Sequence, residues 1–170
     1  MTSSSHVKNL SAAMLAVTCD DVLTVYLDGV KWSLSSDETN EWSEISIIGV
    51  TESTKVLAFH CRDGSGGFGL RASVEVKMWN GERVVYTATG VDTEWRCSGV
   101  EESGWEQPGF QETSNWKQPV EGYGGAINGL NGIAKQAGSI WCEHSSRNAF
   151  CRKKIDIESF VKGMSTFQLS

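Results

Sequence analysis

Residues 17–32 read V-T-C-D-D-V-L-T-V-Y-L-D-G-V-K-W. Leu23, Val25 and Leu27 fall on one face of an extended chain, and Thr24, Tyr26 and Asp28 on the other. That is the two-residue period of a half-buried strand. Asp28-Gly29 supplies residues that accept positive φ, so the pattern predicts a tight hairpin, with Val30-Lys31-Trp32 starting the return strand.

Outward from this hairpin, the chain reads as further strands. Residues 15–26 form the first long strand and 31–34 the second. Residues 35–40 are a turn-rich acidic loop, and 42–50 alternate again. Residues 55–62 are apolar enough for a central strand, and a glycine-rich connection follows over 63–69. Residues 70–79 alternate most clearly, with Ala72, Val74, Val76 and Met78 opposite Ser73, Glu75, Lys77 and Trp79. Asn80-Gly81 signals a type I′ turn, and residues 83–89 are its return strand.

The second half differs. Residues 95–132 are rich in Gly, Ser, Glu, Gln and Asn, with isolated aromatics at Trp95, Trp105, Phe110, Trp116 and Tyr123. Periodic packing cannot hold such a segment, so a long irregular excursion pinned by its tryptophans is expected. Residues 139–142 and 149–157 read as closing strands, and 159–164 as a short ending. No helix longer than about two turns is demanded; residues 111–117 and 133–137 are the best short candidates. The reading is one all-β domain over residues 14–170 behind a flexible segment, residues 1–13.

Eighteen glycines and only two prolines in 170 residues suit many short strands with tight turns. A net charge of −6 leaves no basic stripe for a nucleic-acid backbone. The one basic run, Arg152-Lys153-Lys154, reads as a solvated strand end. No apolar run approaches the roughly 20 residues of a membrane span. Residues 1–5 lack the charged and apolar regions of a secretory signal.

Of five cysteines, Cys19 shares the inward parity of Leu23 and Val25, and Cys61 that of Leu57 and Phe59. Both belong in the core, paired or as small hydrophobes. Cys142 and Cys151 flank a polar loop at a spacing that suits a hairpin disulfide. An odd number leaves one thiol free or pairing between chains, which keeps a homo-oligomer open.

The run over residues 17–30, a tryptophan at position 42, and K-V-L-A-F-H-C-R-D-G-S-G-G-F-G-L-R-A-S over 55–73 resemble galactose-binding-like domains. These include the sugar-binding N-terminal domains of rhamnosidases and related secreted invertebrate domains. W-R-C-S (95–98), G-W (104–105), F-Q-E-T-S-N-W (110–116), Y-G (123–124), I-W (140–141) and F-C-R (150–152) continue the resemblance. It implies a jelly-roll β-sandwich, an extracellular setting and a carbohydrate or glycoconjugate partner. It also makes Trp42, Trp95, Trp105, Trp116 and Trp141 buried framework.

The expected function is that of a non-catalytic carbohydrate-binding module or lectin, holding a sugar at loops or an edge of the sandwich. Stacking on a pyranose needs an exposed aromatic, with planar polar groups for the hydroxyls. Trp32, Trp79, Phe68 and Tyr123 are the aromatics outside the framework. Trp32 and Trp79 beside turns, with Arg62 and Asp63 at the mouth of the glycine loop, are the expected ligand contacts. Asp20 and Asp21 are the expected metal contacts, with calcium as the ion. An extracellular structural or adhesive protein, and a luciferase-like enzyme housing a small molecule, are the alternatives.

Overall fold

The computed structural model describes residues 10–34, 44–64, 66–91, 93–123, 127 and 129–167. The 35–40 loop and Trp42 lie outside these residues. Residues 15–26, expected as one strand, are parts of two: β1 (Leu10–Asp20) and β2 (Val22–Leu27). They belong to different sheets. Leu15, Val17 and Cys19 before the break and Val25 and Leu27 after it all enter one core. Burial parity is therefore unbroken where the chain changes sheet, because both sheets face the same interior. Leu10–Ala13, expected in the flexible segment, are the first residues of β1.

One sheet runs β4 (Ser46–Val50), β1, β6 (Gly69–Met78), β10 (Ile140–Trp141) and β9 (Val120–Glu121), with β7 (Arg83–Ala88) also paired to β6. The other runs β3 (Val30–Trp32), β2, β5 (Val56–Arg62), β11 (Asn148–Lys154) and β8 (Arg96–Ser98). Every pairing is antiparallel. The fold is the two-sheet β-sandwich that the alternation implied.

Turn chemistry separates the two hairpins. Asp28 (φ 50°) and Gly29 (φ 81°) both take positive φ, as the mirror-image turn requires. At the second hairpin only Gly81 does so (φ 86°). Its N–H donates to Met78 O at 2.9 Å, and Met78 N–H donates to Glu82 O at 2.7 Å. That is a three-residue loop closed by a left-handed glycine, not the two-residue turn that Asn80-Gly81 suggested.

Between the sheets, Phe59 stacks on Trp95 with centroids 5.5 Å apart, and Trp95 and Trp141 are buried. The Cys19–Cys61 disulfide joins β1 to β5 across the core. Cys97–Cys151 joins β8 to β11, where the two residues face each other in register. The expected Cys142–Cys151 bridge is thus corrected. Cys142 follows β10 in one sheet and Cys151 lies inside β11 of the other, so no hairpin relates them. The Cys142 thiol is free and donates to Asn148 O at 3.2 Å.

The irregular segments cover the outer faces. Trp105 and Trp116 stack 5.9 Å apart and pack with Ala58 and Phe150 on the outside of the β5 sheet. Ile133 and Ala137 pack with Ala16 outside the β1 sheet. Each cover is fastened by one buried arginine. Arg71 on β6 donates to the carbonyls of Ala137, Ile127, Leu130 and Ala134. Arg152 on β11 donates to Trp105 O, Gln107 O and Glu112 Oε1. The solvated reading of residues 152–154 fails at Arg152, which is 0 % exposed.

The expectation of no long helix is overturned by α1 (Ile157–Phe167). Asp156 caps it, accepting from Ser159 N–H and Oγ–H. Ile157 and Val161 close one end of the core. Residues 111–117 and 133–137 form turns instead of helices.

Candidate functional site

Among the described residues β7 pairs with β6 along one side only, and its other side borders a groove. The groove begins where the chain leaves β7, turns at Gly90 and Val91, and crosses toward β8. Trp95 Nε1–H donates to Ala88 O at 3.2 Å, and Gly138 N–H donates to Thr89 O at 2.8 Å. These bonds tie up the far end of the β7 edge. One stretch, of about 470 Å³, is lined by Val85, Tyr86, Thr87, Glu94 and Lys153. A second, also about 470 Å³, is lined by Glu121, Gly122, Lys135 and Ser139. Gly90, Val91 and Gln136 line both, so the two adjoin.

Lys153 reaches this groove from the inner face of β11. It alternates in phase with Ala149 and Cys151, which are fully buried. Its ammonium donates to Thr87 Oγ1 at 2.7 Å, across the gap between the sheets. Burial pushes its pKa down, while the charge of Glu94 pulls the other way. Hydroxyls, an amide, glycine backbone and both signs of charge thus line one concavity. The polar groups among them can hydrogen-bond a polyhydroxylated ligand, beside an apolar wall from Val85, Ala88 and Val91.

The sequence-derived contacts are exposed but not gathered at one place. Trp79 is 79 % exposed, in the loop that joins β6 to β7, so it stands at the near end of the β7 edge. Trp32 is 41 % exposed and ends β3, the edge strand on the side of its sheet away from β8. Arg62 and Asp63 lie where β5 leaves its sheet, beside Gly69 at the opposite end of β6 from Trp79. Ten residues of β6, at ~3.3 Å each, put ~30 Å between those ends. Phe68, at that far end, packs against Tyr123, Trp141 and His144. The framework tryptophans Trp95, Trp105, Trp116 and Trp141 are buried as expected.

Asp20, Asp21 and Asp63 meet where the chain crosses between sheets. Burial, a hydrogen bond that the protonated Asp20 donates to Asp21, and the charges of Asp21 and Asp63 push the Asp20 carboxyl up to about 7. Asp21 Oδ2 accepts from Gly64 N–H. Calcium takes six to eight oxygens from charged or carbonyl donors. Among the described residues no group of three or more His, Cys, Asp or Glu side chains is placed to hold a metal.

Sequence reading missed the groove, because pairing partners and sheet edges leave no trace in a period-2 pattern. One signal was available: the parity of Lys153 with Ala149 and Cys151. The chain matches no family model, no curated protein and no solved structure.

Proposed function

We propose that this protein is a non-catalytic carbohydrate-binding module or lectin that holds a saccharide along the free edge of β7. The observation that carries this reading is the groove formed by the two adjoining stretches, with the exposed indole of Trp79 at one end of the strand that borders it. The indole offers a stacking face, and Gln136, the groove hydroxyls and the glycine backbone offer partners for sugar hydroxyls. Trp32, Arg62 and Asp63 stand apart from the groove and would serve separate contacts. The galactose-binding-like jelly-roll type is part of the same proposal, supported by the quoted residues and by a chain that passes repeatedly between the sheets. An extracellular setting draws support from two disulfides.

The adhesive alternative relied on an odd cysteine linking chains, and Cys142 is half-buried with its thiol pushed up by burial. That makes it a poor crosslinking thiolate. The enzyme alternative has its best proton carrier in Asp20, which lies outside the groove lining. A glycan array is the test. Binding that falls at least tenfold in Trp79→Ala and Gln136→Ala supports the reading, and an array on which nothing binds overturns it.

A further inference from the structure

We propose that the groove selects saccharides bearing an oxyanion, a carboxylate or a sulfate, and that the Lys153 ammonium is the group that recognises it. This rests on the groove being the sugar site. An ammonium has three hydrogen-bond donors, and the contact of Lys153 is with the Thr87 hydroxyl. Among the described residues the ion pairs are Arg152–Glu112 and Lys162–Glu158, so no carboxylate there lies within 4.0 Å of Lys153. A half-buried cation without a close counter-charge is costly, and an anionic group entering the groove would relieve that cost.

The other charges in the lining set the limits of the effect. Glu94 shares the lining with Lys153 and acts on its charge without pairing to it. It therefore opposes an incoming anion. In the adjoining stretch Lys135 favours and Glu121 disfavours the same group. With a net charge of −6, the whole protein does not steer anions, so selection must come from local contact. A neutral sugar would use the same hydroxyl and amide partners but leave the ammonium unpaired.

Three oligosaccharides of matched length, one neutral, one uronate and one sulfated, would be titrated calorimetrically into the intact protein. The expected result is about tenfold tighter binding of one or both acidic ligands, weakening as salt rises. Lys153→Met keeps the aliphatic stem and should bring acidic and neutral ligands level. Glu94→Gln should tighten the acidic ligand a few-fold, and by more than it changes the neutral one. The uronate and sulfate arms distinguish the two sources of charge. Equal affinity for all three ligands, or an acidic preference that persists in Lys153→Met, would overturn the inference and leave the sugar site standing. If none of the three binds, both fall. Should Lys153→Met fail to fold, Glu94→Gln and the salt series on the unaltered protein decide alone.

Discussion

The Arg152 guanidinium, buried on β11, donates from Nε to the carbonyl oxygen of Trp105 at 2.9 Å, across a sequence separation of 47 residues. Its other nitrogens reach Gln107 O at 3.1 Å and Glu112 Oε1 at 2.7 Å. One charged side chain thus supplies donors to a segment that has no ladder of its own. Arg152→Met leaves those carbonyls and the carboxylate unpaired, which should cost about 3–5 kcal/mol. Glu112→Gln keeps a hydrogen bond at a side chain 32 % exposed, and should cost about 1 kcal/mol. Denaturant midpoints measure both. A cost below about 1 kcal/mol for Arg152→Met would mean that Trp105 and Trp116 hold the cover by packing alone.

The two disulfides close sequence separations of 42 and 54 residues. Chain entropy values each at about 4 kcal/mol. Replacing either pair by alanine should therefore destabilise the fold by nearly the same amount, although one crosses the core and the other lies within a sheet. Unequal losses in chemical denaturation would point to packing around Cys19–Cys61 as an added contribution.

Asp20 gives the fold a pH dependence of definite sign. Its carboxyl titrates near 7 in the native state, against an ordinary value of 3.8. The folded chain thus binds more protons than the unfolded chain between those values. Stability should fall as pH rises from about 4 toward 7, with the loss complete above 7. Asp20→Asn should flatten that slope and raise the melting temperature at pH 8. A slope unchanged in the variant would assign the dependence to other groups.

Ser139 presents a buried Oγ with no hydrogen-bond partner among the described residues, lodged against Gly69 and Gly122. Ser139→Ala removes an unsatisfied hydroxyl and should stabilise the protein by about 1 kcal/mol. Gly122→Ala should destabilise it by about 1–3 kcal/mol. The added methyl would strike Ser139 Oγ and lie 2.9 Å from Phe68 O. Thermal melts of the single and double variants test the pair, because Ser139→Ala should restore part of the Gly122→Ala loss.

Strand identity was legible wherever one face of a strand met the core and the other met solvent. Val74, Val76 and Met78 on β6 follow the expected parity, and β5 is the central strand of its sheet. The Asp28-Gly29 turn was legible because positive φ selects few residue types. Helix α1 carries an apolar stripe at helical spacing, Ile157, Phe160, Val161 and Met164, which the closing strand expected over 149–157 concealed at its first turn. The groove escaped because it is made by the ends of elements, not by any one of them.

By itself, the amino-acid sequence determined the all-β class, the inward parity of its strands and the burial of its framework tryptophans. The first two follow from local period and apolarity, and the third from the resemblance to galactose-binding-like domains. Only the tertiary structure decided that β1 and β2 part into different sheets, that Cys151 pairs with Cys97, and that Arg71 and Arg152 hold the outer covers. Tertiary structure likewise opened the groove along β7. Those outcomes depend on partners far apart in the chain, and a two-residue period records which face is buried but not what lies against it.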